Sequence, residues 1–202
     1  MDGFEKRTLE KKRQVIDATF DLLNTPRGAE SITMDEIAKQ ANVGKTTIFK
    51  YFDNKDNLYK AVYKDFLNNL AAGAYKITEQ NLSFEDTMIA LSQNKINALE
   101  KVDKQFYNDM MKFYTEKKDD GLTLLMKTYQ ENSISLMLDI FHRGRKEGKI
   151  DLKYSDEFLM LYFQAMVEGI SSPDIYKRIL PYTSEWTEVL VRGLAPKPKK
   201  GL

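Results

Sequence analysis

The chain has 202 residues, of which 42% are hydrophobic and 30% are charged, and its formal net charge is +1. This composition is typical of a folded protein, and the near-zero charge means that any nucleic-acid binding must rely on a local cluster of basic residues. The absence of cysteine excludes disulfides, thiolate catalysis and cysteine-ligated zinc. The N-terminus lacks an apolar signal core and no apolar run reaches membrane-spanning length, so we expect no membrane partner.

The first predicted element is a helix from Glu5 to Asn24, because apolar residues recur there at the three-to-four spacing of a packed face. Pro26 and Gly28 then favour a turn. Positive charge is concentrated in the first half of this helix, at Lys6, Arg7, Lys11, Lys12 and Arg13. Two interpretations stay open for these cations: a solvated face balanced by nearby acids, or contacts to a nucleic-acid backbone.

The stretch from Thr33 to Leu58 predicts two short helices joined by a tight turn, followed by the start of a third. Thr33 and Glu36 have the spacing of a capping box, in which hydroxyl and carboxylate each bond the other residue's backbone. Asn42 tolerates the left-handed backbone of a sharp corner. Gly44 can then begin the second short helix.

The second short helix has one narrow apolar face and one wide polar face. Ile48 and Phe52, four residues apart, form the inward pair. The opposite face carries lysines, hydroxyls and a tyrosine: Lys45, Thr46, Thr47, Lys50 and Tyr51. Such groups meet phosphates and base edges when a helix lies in a DNA groove. The structural alternative is a helical corner that never touches DNA.

A phosphate-binding loop is a second alternative for the segment that contains Gly44, Lys45 and Thr46. That motif needs a glycine five positions before the one that precedes the lysine, and Lys39 stands there instead. It also needs a preceding β-strand, and the sequence predicts none. We therefore reject the nucleotide-binding interpretation.

The remaining chain predicts further helices and no strand, so the expected fold class is all-α. Asn54 can cap a long helix that runs to about Ile77, with Lys55 in its first turn, where a bound phosphate would explain a cation at a helix start. Ser83 opens the next helix. A further helix contains Phe106, Tyr107 and Tyr114, and Asp119, Asp120 and Gly121 start another, long helix.

Two C-terminal segments predict a protein–protein contact. The helix that Ser155 caps is apolar nearly all round through Ile170, yet it is too short to span a membrane. One of its sides can face its own domain, and the other needs a partner. Thr183 opens the last helix, whose apolar face includes Trp186 and Val189. A Pro- and Lys-rich tail follows.

Methionine and aromatic residues crowd the middle helices. Because methionine fills irregular apolar space and re-packs easily, these residues suit a cavity for a flexible apolar ligand. The candidates for its lining are Met88, Phe106, Met110, Phe113, Met126, Tyr129, Tyr162 and Met166. For each residue taken alone, plain core is the simpler interpretation. His142 is the only histidine, and no nucleophile–base set is visible, so we expect neither a metal site nor catalysis.

On the residues of the short-helix pair, the chain resembles the TetR family of transcriptional regulators. The positions that match its helix-turn-helix pattern are Ile37, Ala38, Ala41, Val43, Thr47, Ile48, Tyr51, Phe52, Lys55 and Leu58. Two positions depart from it. Thr46 stands where the family usually has glycine, which is expected to alter base preference. Phe49 stands where tyrosine is common and lacks the hydroxyl that relatives place on a phosphate.

The resemblance implies a helix-turn-helix DNA-binding domain in residues 1–54, a helical effector-binding and dimerisation domain in residues 55–195, and a flexible tail in residues 196–202. It implies a cytoplasmic, non-enzymatic regulator without cofactors, most often a repressor, that binds a palindromic operator in double-stranded DNA as a homodimer. A small, largely apolar effector would release it. The alternative is a helical regulator that responds to a protein partner.

The resemblance and the apolar patterns of the last two helices together predict two sets of contact residues. The expected DNA contacts are Thr33, Gly44, Lys45, Thr46, Thr47, Phe49, Lys50, Tyr51 and Lys55. The expected dimer interface consists of Phe158, Leu159, Tyr162, Phe163, Met166, Trp186, Val189 and Leu190.

Overall fold

The computed structural model describes residues 3–116, 120–171, 175 and 178–197. It describes the backbone alone for residues 114–116, 120–126, 128–130, 167, 168, 170, 171 and 180. Every regular element in these ranges is helical, as predicted. The α-helices are α1 (Gly3–Leu23), α2 (Met34–Gln40), α3 (Lys45–Phe52), α4 (Lys55–Thr78), α5 (Phe84–Glu100), α6 (Lys104–Glu116), α7 (Asp120–Lys146), α8 (Asp156–Ser171) and α9 (Thr183–Leu194). Short 3-10 helices lie at Ala29–Ser31 and Leu180–Tyr182.

The predicted starts of α5 and α8 are confirmed. Ser83 Oγ accepts a hydrogen bond from the Asp86 amide at the start of α5, at 3.1 Å. Ser155 Oγ does the same for the Phe158 amide at the start of α8. Gly148, with φ +70°, follows α7 in the left-handed conformation that glycine adopts without strain.

The chain divides into two compact units: Met1–Asn69 with Glu100–Met126, and Leu70–Leu99 with Lys127–Leu202. This division does not follow the predicted boundary after residue 54, because the first part of α4 and all of α6 share a core with α1, α2 and α3. None of the helices within the described ranges is long and apolar enough to cross a membrane.

Phe106 of α6 lies at the centre of the first unit's core. The rings of Phe20, Tyr63 and Phe66 meet it edge-on, with centroids 5.1, 5.5 and 5.3 Å away. Edge-to-face pairs of this kind add to the stabilisation from burial. Burial also raises the pKa of the Tyr63 phenol, because the charged form would lose its hydration. Aromatic packing therefore joins α6 to α1 and α4.

Polar contacts from α6 also hold the segment that leads into α2. The Ala29 amide donates to an Asp109 carboxylate oxygen at 2.6 Å, and Lys112 pairs with Glu30 at 2.9 Å. From α4, the Tyr59 hydroxyl donates to the Ala29 carbonyl at 3.0 Å. These bonds fix the chain entry to the short-helix pair.

The second unit has its own core, in which Phe84, Phe141 and Leu159 are fully buried. Gly144 allows α7 to approach this core closely, since a Cβ there would lie 2.8 Å from the Phe84 ring. His142 Nε2 lies 2.8 Å from an Asp156 oxygen at the start of α8. This contact joins the end of α7 to the start of α8.

Candidate nucleic-acid interface

The corner between α2 and α3 has the predicted local geometry. Thr33 Oγ1 accepts from the Glu36 amide at 3.2 Å, and the Glu36 carboxylate accepts from the Thr33 amide at 2.8 Å, which completes the capping box. Asn42 adopts φ +47°, the left-handed conformation expected at the sharp turn. Gly44 then caps α3 through its carbonyl, which accepts from the Thr47 amide at 2.8 Å. The helix-turn-helix prediction is confirmed at the level of the backbone.

The inner side of α3 is locked into the first unit's core. Ile48 is fully buried and belongs to the same apolar cluster as Ile37, Ala41 and Leu58. Phe52, the second residue of the predicted inward pair, packs against this cluster while partly exposed. Since one face of the helix is anchored, the direction of its opposite face is set by the core.

The outer side of α3 carries the predicted polar groups in accessible positions. Lys45, Thr46 and Lys50 are exposed, and Thr47 and Tyr51 are partly exposed. Phe49 is also exposed on this helix. The structure therefore brings the predicted contact residues of α3 together on one solvent-facing surface.

An acidic residue that the sequence pattern did not indicate as part of the site lies beside this surface. The Lys45 ammonium is 2.9 Å from a carboxylate oxygen of Asp35, in the first turn of α2. Both side chains are well exposed, at 44% and 77%, so the ion pair contributes little to stability and opens readily. Asp35 can thus compete with a phosphate for Lys45. Ten residues separate the two, and only the turn brings them together.

Two cations of α1, Lys12 and Arg13, make different contacts in the structure. Lys12 Nζ lies 5.7 Å from the centroid of the Tyr51 ring, so this lysine joins the surface of α3. Arg13 instead pairs with Asp17 and Asp65, at 2.7 and 2.6 Å, and the hydrogen bond to Asp17 together with the contacts to Asp65 raises its pKa. Arg13 is therefore a structural cation, whereas Lys12 is available to a ligand of α3.

A shallow open groove continues the surface from α3 onto α4. Its lining is Lys50, Tyr51, Phe52, Asp53, Asn57, Lys60, Ala61 and Lys64. The three lysines outnumber the one carboxylate, so the groove favours an anion. Lys60 and Lys64 were not singled out in the sequence, because on a long helix they are indistinguishable from an ordinary solvated face.

The two predicted contacts from neighbouring helix starts have other partners. The Thr33 hydroxyl accepts one bond within the capping box and donates to Glu36 at 3.0 Å, so both of its functions are used. Lys55 Nζ lies over the Tyr59 ring, 5.3 Å from its centroid. Asn54 caps α4, as predicted, by accepting from the Asn57 amide at 2.8 Å.

The predicted ligand-lining residues are divided between the units. Phe106 and Met110 are core residues of the first unit, where Phe113 packs beside them. Met88 is a core residue of the second, and Met166 packs against the same core. The side chains of Met126 and Tyr129 lie outside the described residues. Close packing of Phe106, Met110 and Met88 agrees with the alternative of plain core, and their role as ligand contacts stays a prediction.

The predicted interface residues of α8 and α9 divide into an outward and an inward set. Phe158, Tyr162, Trp186 and Val189 are exposed. Phe158 stacks on Tyr162, with ring centroids 6.0 Å apart.

The structure corrects the predicted interface at Leu159 and Leu190, because both side chains are buried in the second unit's core. Each of these leucines comes directly after an outward-facing residue. One residue rotates the side-chain direction by about 100° around the helix axis, which points the leucine towards the core. Phe163 and Met166 are partly buried against the same core. Leu161 was not predicted, yet it is 59% exposed on α8.

The anchored α3, its polar outer surface and the cap-turn geometry define a helix-turn-helix domain, the class in which a second helix enters the major groove. Residues 15–62 match the sequence profile of the bacterial regulatory proteins of the tetR family. The chain is similar to this family over that segment, which is less than half of its length.

Two curated relatives match part of the chain. The uncharacterized HTH-type transcriptional regulator YhgD of Bacillus subtilis is 31% identical over 81 residues, which are 40% of this chain and 42% of that protein. IcaR of Staphylococcus aureus, described as the HTH-type negative transcriptional regulator of the biofilm operon icaADBC, is 34% identical over 62 residues, 29% of this chain and 33% of its own. The match thus spans less than half the length of these relatives.

A solved structure extends the likeness to nearly the whole chain. The crystal structure of the regulatory protein TetR from Rhodobacter sphaeroides has a TM-score of 0.67 to this protein and covers 90% of this chain and 96% of its own. The sequence identity is 17%. This likeness is one of fold.

Proposed function

We propose that this chain is a DNA-binding transcriptional regulator that reads an operator in duplex DNA with α3. The observation that carries the proposal is the exposed face of Lys45, Thr46, Thr47 and Lys50 on a helix anchored by Ile48. Ammonium groups bind phosphates, hydroxyls bind phosphates and base edges, and an anchored helix presents both in a defined register. A DNA-reading domain in residues 1–54 contains all of these groups.

The proposed contact set is the one expected from the sequence, with one addition. Gly44, Phe49 and Tyr51 lie on or beside the α3 surface, and Thr33 and Lys55 flank it at the starts of α2 and α4. Lys12 is the addition, because its ammonium lies over Tyr51. The Thr33 hydroxyl would have to exchange its bond with Glu36 for a phosphate contact, so its contribution is expected to be small.

The regulator would act as a homodimer through the outward faces of α8 and α9. Exposed Phe158, Leu161, Tyr162, Trp186 and Val189 support this proposal, because apolar side chains concentrated on two helices favour burial against another protein surface. A two-fold dimer carries two copies of α3. These would contact the half-sites of a palindromic operator about one helical turn apart or somewhat more.

Repression relieved by a small, largely apolar effector is the proposed mode of control. The negative regulation named for IcaR supports repression, since IcaR is 34% identical to this chain over 62 residues. An effector acts by favouring a dimer whose α3 helices do not match the operator spacing. Effector and operator then weaken each other's binding by the same factor. An effector that tightens operator binding would contradict this mode.

The alternative is a regulator that responds to a protein partner, and the exposed face of α8 and α9 is the observation that favours it. The same apolar side chains could receive a different protein. Sedimentation equilibrium of the purified chain separates the two: a stable dimer means that the face is already covered. A chain that stays monomeric at about 100 μM would favour the protein-partner alternative.

The test of DNA reading begins with duplexes selected by the wild-type chain from a random library. Tyr51→Ala and Lys45→Ala should each weaken binding of the selected duplex by about tenfold or more in fluorescence anisotropy, because each removes a groove contact. Lys146→Ala, on α7 of the second unit, is the matched control and should bind as the wild type does.

Folding must be checked in the same variants, since lost affinity counts only for folded protein. Circular dichroism and sedimentation should show unchanged helix content and oligomeric state. If the wild type selects no sequence, or if both variants keep full affinity, α3 is not the reading helix.

A further inference from the structure

An apolar ring lies on the mostly polar outer side of α3. Among the apolar side chains of this helix, Ile48 is fully buried and Phe52 packs against the first unit's core, whereas Phe49 is 41% exposed. Single exposed apolar residues are common on protein surfaces. What distinguishes Phe49 is its position, because it lies on the helix that carries the proposed DNA contacts.

Helical geometry sets which side chains are neighbours of this ring. At about 100° per residue, Lys45 projects about 40° to one side of Phe49, and Thr46 about 60° to the other side. Lys50 follows Phe49 directly and projects beyond Thr46. All three neighbours are exposed. The ring therefore lies between two ammonium groups on one solvent-facing surface.

The charges on both sides of the ring restrict the kind of partner that can cover it. An apolar protein surface placed on Phe49 would remove water from Lys45 and Lys50 without replacing their hydration. The major groove of duplex DNA avoids this cost. Phosphates line its two edges and base edges form its floor, so the cations can meet phosphates while the ring meets bases.

The chemistry of the base edges then selects one group for the ring. Most of the major-groove edge consists of hydrogen-bond donors and acceptors, and the 5-methyl group of thymine is the apolar exception. A phenyl ring laid on a donor or acceptor displaces its water without replacing the hydrogen bond. Laid on a methyl group, the same ring removes apolar surface from water on both partners, which is favourable.

We propose that Phe49 is a specificity-determining residue of the operator contact, and that its ring packs on the 5-methyl group of a thymine in each half-site. The ring selects thymine by apolar contact rather than by hydrogen bonding. This inference rests on the proposed reading of DNA by α3, and it adds the base and the group on that base that one side chain reads.

Uracil substitution in the selected duplex tests the assignment, because uracil lacks only the methyl group of thymine. Each thymine of a half-site is replaced in turn, together with its symmetry mate, and the dissociation constant is measured by fluorescence anisotropy. At the contacted position the wild type should lose about fourfold in affinity for each methyl group removed, and hence about fifteenfold for the two half-sites.

Three variants assign this methyl effect to a residue. Phe49→Ala should bind the thymine and uracil duplexes equally at the contacted position, and Phe49→Tyr, which keeps the ring, should keep the preference. Tyr51→Ala should bind both duplexes more weakly but keep their ratio, since it removes a separate contact. Leu152→Ala, which changes an exposed leucine of the second unit, is the matched control and should behave as the wild type. Circular dichroism should show unchanged helix content in all four.

Three outcomes would overturn the inference: a selected half-site without thymine, wild-type binding that no uracil substitution weakens, or a methyl preference that persists in Phe49→Ala. Duplex selection by the wild type tests the regulatory function by itself. A chain that selects a duplex but ignores the methyl group would refute only the assignment to Phe49. A chain that selects no duplex would refute the proposed function and this inference with it.

Discussion

The outer face of α3 and the outer faces of α8 and α9 are both exposed, yet their chemistry is opposite. α3 presents Lys45, Thr46 and Lys50, whereas α8 and α9 present aromatic and aliphatic side chains such as Leu161 and Val189. All three helices anchor an inner side in a core, so burial alone does not distinguish them. The groups that face outward indicate which partner each surface suits: a polyanion for α3 and a second apolar surface for α8 and α9.

The two surfaces also differ in the physical source of their binding energy. Contacts to phosphates release counterions, so their strength falls as salt is added. Burial of apolar side chains depends on the area removed from water and is nearly insensitive to moderate salt. The following predictions use this difference, beginning with the largest expected effect.

The effect of added salt on the dissociation constant should differ between the two surfaces by roughly three orders of magnitude. Raising the salt concentration from about 50 to about 200 mM should weaken binding of the selected duplex by roughly a thousandfold, if about six phosphates are contacted. The dimer dissociation constant should change by about threefold at most. Anisotropy titrations and sedimentation equilibrium measure the two quantities. A duplex affinity that is flat with salt would contradict phosphate contacts by α3.

Leu161→Glu should weaken the dimer by about a hundredfold, because a charge at the centre of an apolar contact loses its hydration without gaining a partner. The monomer should stay folded, since the side chain is 59% exposed. The matched control is Leu152→Glu, which changes an even more exposed leucine just before α8. Equal dissociation constants for the two variants would show that the face of α8 is not the interface.

The support behind α3 can be tested with two tyrosines of α4 that differ in their bonding. Tyr59→Phe removes the hydrogen bond to the Ala29 carbonyl and should lower the free energy of unfolding by about 1 kcal/mol. Tyr63→Phe should be neutral or raise it by up to about 1 kcal/mol, because the buried Tyr63 hydroxyl has no hydrogen-bond partner among the described residues. Urea unfolding measures both changes, and the opposite order would contradict these assignments.

Asp35→Asn should have the smallest effect, a rise in operator affinity of about threefold. The change frees Lys45 from its exposed ion pair and removes a carboxylate that repels phosphates. The slope of affinity against salt should steepen by up to about one unit on logarithmic axes. Glu131→Gln, which frees the exposed Lys127 of α7, is the control and should leave both quantities unchanged. Weaker operator binding by Asp35→Asn would mean that Asp35 positions Lys45 for the DNA.

Local patterns predicted the short-helix pair well, because each signal acts within a few residues. The capping box of Thr33 and Glu36 and the left-handed Asn42 depend on bonds to neighbouring backbone groups. Helical periodicity places Ile48 on the buried face of α3 and the polar residues on its other face. These are short-range effects, so the sequence alone contains them.

Long-range packing was predicted less well. Apolar periodicity assigned Leu159 and Leu190 to an interface, although each belongs to a core, because a helix apolar nearly all round does not reveal which side its own domain covers. The same ambiguity applies to Phe106, which is a candidate for a ligand site in the sequence and has three aromatic rings around it in the structure. Deciding between core and surface needs the positions of the other helices.

The amino-acid sequence by itself determined the all-α fold, the corner at Asn42 and the polar face of α3, since propensity, capping and periodicity act along one segment. Only the tertiary structure decided that Asp35 meets Lys45 and that Lys12 joins Tyr51. These relations depend on residues that are distant in the chain or on the packing of several helices. A one-dimensional pattern does not specify such distances.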